Sequence, residues 1–334
     1  MTIKEISKLA GVSQSTVSLA LNNKAGVGDE TRKRIITIAN EHGYSKKTNV
    51  VKKNILFVKY VSNGEAVEHN GDFVAGIIDA VELATSNCGY NFIMRNIQAD
   101  NFEGEIEDMC FEGFVGVIWL ATEISVAHIE KLAKIPIPVV AVDNMLEDYD
   151  IDSVVMDNHA GIFLATKYLY ELGHRKIGYI DSTVSFSNFE QRKKGFKVAL
   201  EKLGLTKNEG YIKKIQPTLE GAYTDMLEEL KRDKELPTAF VAANDTIAIG
   251  SIKAFRQYGV DTPNKISIIG FDDIPFCIML DKTLSTMRVN NKKMGEMAVY
   301  LLDNKINNPL DECIKITIRP KLITRESTSS PGNY

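Results

Sequence analysis

Apolar residues fall at helical spacing over the first forty positions and then shift to short buried runs alternating with further helical patterns. Ile3, Ile6, Leu9 and Ala10 follow a Thr2/Glu5 capping box, which predicts a first helix. Gly11-Val12-Ser13 interrupts it, and Ser13 is placed to cap a second helix, Gln14–Leu21, with Val17, Ala20 and Leu21 inward. Asn22-Asn23 and Gly26 end that helix. A third runs from about Asp29 to His42, with Ile35, Ile38 and Ala39 inward and Gly43 as its stop. Two short helices around a Gly-containing turn form a helix-turn-helix. The second helix of such a unit lies in a DNA major groove with its N-terminal polar side chains against base edges. The plain alternative is an ordinary three-helix bundle. The polar run Gln14-Ser15-Thr16 at the start of the second helix favours the first reading.

From Asn54 the chain alternates strand and helix patterns. Strands are predicted at Asn54–Val61, Tyr90–Arg95, Val115–Leu120, Pro138–Asp143, Ile177–Ile180, Ala239–Ala242 and Ser267–Phe271. Helices are predicted at Phe73–Asn87, Glu103–Phe111, Ser125–Ala133, His159–Leu172, Phe189–Leu203 and Thr246–Tyr258. This rhythm predicts an α/β, doubly wound body with helices on both faces of parallel sheet. Ligands of such sheets bind beyond the C-terminal strand ends. Three strand ends carry acids or amides: Asp143-Asn144, Asn244-Asp245 and Asp272-Asp273. These groups suit hydrogen bonding to the hydroxyls of a small polar ligand. Each is also a common helix cap or turn residue. Asp245 is expected to cap its helix, which leaves Asn244 as the ligand candidate.

Charge sharpens the division. The chain of 334 residues carries a net −4, yet residues 1–53 hold ten positive and four negative side chains. That is +6 on the head and −10 on the remainder. A basic module on an acidic body fits a polyanion-binding head, or a solvated basic arm. Apolar runs such as Phe114–Ala121 and Ile135–Val142 are too short for a bilayer span of about 20 residues. No secretory h-region opens the chain, so a cytoplasmic location is expected. Cys88, Cys110, Cys277 and Cys313 are widely spaced, which predicts reduced thiols with no metal site or disulfide framework; no cofactor is expected.

TIKEISKLAGVSQSTVSLALNN followed by ETRKRIITIANEHGY resembles the headpiece of the LacI-type (LacI/GalR) family of bacterial transcriptional regulators. Later blocks resemble the family in the same order. They are MDNHAGIFLATKYLYELGHRKIGYI, QRKKGFKVAL, FVAANDTIAIG, ISIIGFDDIP, TLSTMRVNNKKMGEMAVYLL and IRPKLITREST. The resemblance implies a helix-turn-helix headpiece (1–45), a shortened hinge linker (46–53) and a two-lobed, periplasmic-binding-protein-like body for effector binding and dimerisation (54–326). The tail, 327–334, is rich in Ser, Pro and Gly and is expected to be disordered. Implied partners are double-stranded operator DNA, a sugar- or nucleobase-like effector and a second copy of the chain, with no membrane.

On the family's pattern, Gln14, Ser15 and the Leu19 position read bases. Thr16 and Ser18, with Thr2 and Asn22 nearby, serve the DNA backbone. Leu19 stands where the family usually has Arg. An Arg there reads guanine bidentately, whereas Leu offers apolar contact, for instance to a thymine methyl. Leu19 is otherwise a packed helix residue. Carried over to the body, the effector contacts are Phe73, Asp143, Arg192, Asn244 and Asp272. Arg192 stands out because a buried guanidinium supplies several fixed donors; beside Lys193 and Lys194 it also fits a salt bridge on a basic helix face. The long segment Ser62–Asp72 departs from the family, Trp119 suits either a sugar face or the core, and His174 is read as structural.

No P-loop, strand-end G-x-G-x-x-G, G-x-S-x-G or H-E-x-x-H is present. A sugar-processing enzyme, a cytosolic sugar-binding protein and a regulator with a vestigial cleft are the alternatives. The linker departs most from the family. Lys46-Lys47 replace Pro-Asn, Val50-Val51 replace Ala-Arg, and Lys53 takes the place of the Leu that wedges into the minor groove. Asn49, Val50 and Val51 are poor helix formers and the stretch is short. The expectation is no wedge, little DNA bending, and Lys46, Lys47, Lys52 and Lys53 on phosphates.

Overall fold

A computed structural model describes residues 2–42, 44, 53–62, 70–107, 109, 111–206, 208–232, 235–309 and 312–332. The chain divides into two compact units, Met1–Val51 and Lys52–Tyr334. Most of the linker and of the Ser62–Asp72 segment lies outside the described residues.

The first unit is three helices, α1 (Ile3–Ala10), α2 (Gln14–Leu21) and α3 (Asp29–Glu41). The capping box forms as expected. The Thr2 hydroxyl accepts from the Glu5 amide at 3.3 Å, and the Thr2 amide donates to the Glu5 carboxylate at 2.7 Å. Gly11, at φ 62°, adopts the left-handed conformation that stops α1. The Ser13 hydroxyl then accepts from the Thr16 amide to start α2. Ile6, Ala10, Val17, Ala20, Ile35 and Ala39 form the core. Leu9 does not join it and is 57% exposed. At about 100° per residue, Ile3, Ile6 and Ala10 share one stripe and Leu9 falls outside it. The Arg32 guanidinium donates to the carbonyls of Ala20, Lys24 and Val27, which ties α3 to the turn before it.

The second unit holds two six-stranded sheets. The first-lobe elements are β1 (Asn54–Val61), α4 (Gly71–Asn87), β2 (Asn91–Gln98), α5 (Phe102–Glu107), β3 (Phe114–Leu120), α6 (Val126–Leu132), β4 (Val139–Val142) and β5 (Asp152–Met156). The chain then enters the second lobe with α7 (Asn158–Glu171), β6 (Ile177–Ser182), α8 (Ser187–Lys202), β7 (Ile212–Ile215), α9 (Leu219–Arg232), β8 (Ala239–Ala242), α10 (Asp245–Tyr258), β9 (Ser267–Asp272) and β10 (Ser285–Arg288). It returns with α11 (Asn291–Asn307) and β11 (Lys315–Ile318), then crosses once more to β12 (Lys321–Ile323). The strand orders are β11-β5-β4-β3-β1-β2 and β12-β10-β9-β8-β6-β7. Every pairing is parallel except β12 on β10. The doubly wound α/β expectation therefore holds.

Alternation along β1 shows how the first sheet is filled. Ile55 and Phe57 enter the apolar cluster that continues into the second lobe. Leu56, Val58 and Tyr60 face the other way, with Phe102 and Trp119. Trp119 is fully buried with its ring edge-on to Phe102, so it belongs to the core. The predicted helix Glu103–Phe111 ends early, at Glu107.

The tail expectation needs correcting. Ser327 is fully buried, and its hydroxyl donates to the Ile268 carbonyl at 2.6 Å and accepts from the Ser285 amide at 2.8 Å. The Ile268 amide donates to the Ser327 carbonyl, and the buried His174 ring bonds the Ser329 carbonyl and the Thr238 hydroxyl. The small hydroxyl side chains are what let this segment lie close along β9. Composition alone had suggested chain without partners.

Candidate functional site

The ends of β4, β8 and β9 face one recess, and the start of α8 closes it. Past β4, Asp143 takes φ 69°, and at the end of β9, Asp272 takes φ 114°, both in the left-handed region that non-Gly residues rarely adopt. The Asn144 amide donates to the Ala121 carbonyl, and its oxygen accepts from the Leu146 amide, which pins the loop that holds Asp143. The Asp143 carboxylate accepts from the Thr122 hydroxyl at 2.6 Å and from the Asn188 amide at 3.0 Å. Burial pushes its pKa up to about 6, against the pull of Thr122 and Arg192.

Arg192, 3% exposed, lies in α8 and faces inward. Its Nε donates to the Asn158 oxygen at 2.8 Å and one terminal nitrogen to the Ala243 carbonyl at 2.6 Å. The other terminal nitrogen meets Asp272 at 3.3 Å. The guanidinium sits 3.8 Å from the Phe271 ring centre, a cation–π contact. Lys193, its neighbour, turns away to Asp181. The basic-face salt bridge weighed for Arg192 thus belongs to Lys193. The Asn70 amide donates to the second oxygen of Asp272 at 3.0 Å. Burial raises the Asp272 pKa, and Arg192 opposes that rise.

At the end of β8 the capping role falls to Asn244 and not, as expected, to Asp245. Asn244 caps α10, its oxygen accepting from the Ile247 amide at 2.9 Å. Asp245, fully buried, instead accepts from the Asp273 and Ile274 amides and from the Thr286 hydroxyl. It holds the loop after β9 and takes no part in the recess. An Asx side chain caps best just ahead of the first helical turn, and here that position is Asn244. The Asn244 side chain still lines the recess.

Phe73, Asp143, Arg192, Asn244 and Asp272, the five body residues singled out from the sequence, all line this one recess. Sequence reasoning did not single out Asn70, Val74, Thr122, Phe186, Asn188 and Phe189 as lining residues. Asn188 and Phe189 lie four and three residues before Arg192, so helical spacing already put them on its face. Among the described residues, the hydrogen bonds that join the lobes beside the recess include Asn70 to the Asp272 carboxylate, Asn188 to both the carboxylate and the carbonyl of Asp143, and Gln191 to Glu147. The recess is tight, with about 30 Å³ open to the centres of water molecules. A ring-sized ligand therefore enters only as these bonds part.

In the first unit, Thr2, Gln14, Ser15 and Asn22 are exposed, and Thr16, Ser18 and Leu19 are described with their neighbours in α2. The Ser13 hydroxyl also bonds those of Ser15 and Thr16, and the Asn22 amide donates to the Ser18 carbonyl at 2.7 Å. Gln14 and Ser15 therefore stand at the open N-terminus of α2. Among the described residues, no group of three or more His, Cys, Asp or Glu side chains is placed to hold a metal ion. No helix among them is long and apolar enough to cross a membrane.

Residues 2–47 match the model of the bacterial regulatory proteins of the lacI family, and residues 166–328 that of the periplasmic binding protein-like domain. The transcriptional repressor PurR of Pasteurella multocida is 30% identical over 98% of this chain and 99% of its own length. The ribose operon repressor of Haemophilus influenzae is 29% identical over the same shares. The solved lac repressor dimer bound to operator superposes with a TM-score of 0.74 at 19% identity, covering 98% of this chain and 99% of that one. The transcriptional regulator CelR–cellobiose complex gives the same TM-score and shares at 23% identity. At these identities the two structures bear on the fold alone.

Proposed function

The chain belongs to the LacI family of bacterial transcriptional regulators, and from that premise we propose that it is a sequence-specific repressor controlled by a small polar ligand. The observation that carries the ligand half is the convergence of Asp143, Asp272 and the buried Arg192 on one recess bridged by both lobes. Buried charges of this kind cost free energy unless something engages them, which suits a site built to exchange internal bonds for ligand hydroxyls. The DNA half rests on the exposed Gln14 and Ser15 at the start of α2, on a basic head. In this reading the two residues read bases together with Leu19, while Thr2, Thr16, Ser18 and Asn22 hold the backbone. The molecule binds and does not turn over its ligand.

We infer a homodimer as the working unit. A two-fold pair reads two half-sites about 10 base pairs apart. One face of the second lobe suits the pairing. Leu219, Tyr223, Ile249, Ile252 and Leu280 line an open groove, and Phe276, Ile278 and Met279 are exposed nearby. Selection of duplexes from a random pool by the full chain tests the proposal. It predicts enrichment of a near-palindrome whose affinity changes at least twofold with a sugar or nucleobase. A pool left without a preferred sequence sinks the regulator reading.

A further inference from the structure

The recess between the lobes is unbalanced in charge. Among the described residues lining it, Arg192 is the one cation, against the carboxylates of Asp143 and Asp272. Arg192 is already engaged by Asp272, Asn158 and the Ala243 carbonyl. Among the described residues, the hydrogen-bond donors to the Asp143 carboxylate, the Thr122 hydroxyl and the Asn188 amide, are neutral. The other lining groups are amides and the apolar surfaces of Phe73, Val74, Phe186 and Phe189.

We propose that the recess selects a small uncharged polyhydroxyl ring and rejects its carboxylated or phosphorylated counterparts, with Asp143 as the discriminating residue. The inference rests on reading the chain as a ligand-responsive regulator and adds the charge class of the ligand. Ionised carboxylates only accept hydrogen bonds, so the ligand brings donors, and hydroxyl groups supply them. When the Asn188 bond parts, a ring hydroxyl takes its place on Asp143. An anionic group arriving there meets a like charge at a buried carboxylate, where repulsion is poorly screened. Three of the five N–H groups of Arg192 already serve the protein and its charge is paired with Asp272, so it offers an arriving carboxylate or phosphate no unpaired cation. The Phe73, Phe186 and Phe189 rings offer apolar surface to the C–H face of a sugar ring. Burial brings Asp143 only to about 6, so at pH 7.5 the carboxylate stays ionised.

The test uses the full chain at pH 7.5, with titration calorimetry and thermal unfolding. The probes are neutral pentoses and hexoses, each paired with its uronate or phosphate: ribose with ribose 5-phosphate, glucose with glucuronate, galactose with galacturonate. At least one neutral sugar is expected to bind, with its acidic partner at least tenfold weaker. Asp143→Asn keeps the shape and removes the charge, and is expected to narrow that gap to within about threefold. An acidic probe that binds as tightly as its neutral partner overturns the proposal while leaving the regulator reading standing. A full gap retained in Asp143→Asn removes the role of Asp143. A panel silent in both series, with duplex selection intact, overturns this inference and leaves the regulator reading to rest on a nucleobase-like ligand.

Discussion

The Asn188 side chain, on the second lobe, donates to the Asp143 carboxylate, on the first, at 3.0 Å. The same asparagine accepts from Asn158, whose oxygen receives Arg192. The chain Asp143–Asn188–Asn158–Arg192–Asp272 therefore links the acids of both lobes through one set of hydrogen bonds. A ligand that displaces Asn188 disturbs all of it, which gives the recess a means of reporting occupancy to both lobes.

Arg192→Ala removes the cation from that chain. The expected result is loss of the ligand response, with sequence-specific DNA binding retained below the melting temperature of the body. Leaving Asp272 buried without its partner should also cost roughly 3–5 kcal/mol of body stability. Calorimetry with the binding sugar and fluorescence anisotropy on the selected duplex check the two halves. Normal ligand affinity in the variant would falsify the role given to Arg192.

Gln14→Ala with Ser15→Ala is expected to flatten discrimination between the selected duplex and random DNA. Replacing a lysine that neutralises a phosphate should instead weaken all duplexes alike and lower the salt slope by about 0.9 for each such lysine removed. If the double variant keeps its sequence preference, α2 is not the reading helix.

Asp245→Asn tests a buried acid by its pH dependence. Burial, reinforced by Asp272, pushes Asp245 up to about 7, against about 3.9 in an unfolded chain. The folded state thus holds this proton more tightly. Its contribution to stability is full below about pH 4 and is lost as pH rises to about 7. Denaturation midpoints of the wild type should fall between pH 5 and pH 8 relative to those of the variant. Burial lowers the pKa of His174, which acts in the opposite direction, but it does so in both proteins and cancels in the difference. Parallel curves would show that Asp245 does not titrate in this window.

Gly270→Ala tests how closely β9 and α10 pack. A Cβ at position 270 would lie 2.0 Å from an Asp245 oxygen and 3.2 Å from Leu284. Asp245 is fixed by three donors and cannot yield freely. Overpacking of this kind costs roughly 1–3 kcal/mol. A urea midpoint equal to that of the wild type would mean that the loop after β9 moves without cost.

Operator bending tests the linker, most of which lies outside the described residues. Lysine in place of the apolar wedge predicts little bend. Gel mobility of circularly permuted operator fragments should therefore vary little with the position of the site. A strong positional dependence would point to Val50 and Val51 acting as a wedge.

The strands of the body were legible wherever buried runs were long and flanked by turn residues, as in β1, β3 and β9. β5, β7 and α9 were not drawn from periodicity, nor were β10, α11, β11 and β12 at the end of the chain. β7 is four residues with two lysines, and α9 opens among polar residues after Pro217. The acids at strand ends were visible because sheet topology says where to look. The cap at Asn244 rather than Asp245 was not, since adjacent Asx residues differ only in which one precedes the first helical turn. Asn188 was hidden for another reason: its partner Asp143 lies 45 positions away. Local spacing carries no trace of such a pairing.

The first sheet is finished by one of its last-made strands. β11 covers the edge of β5, but the chain reaches Lys315 only after tracing β6 to β10 of the other lobe and α11. The headpiece core, by contrast, is complete within residues 2–42. On a ribosome, a folded headpiece therefore emerges long before the body can close. A chain that stops short of Lys315 carries α1 to α3 intact while leaving β5 as a bare edge, open to pairing with other unfinished chains.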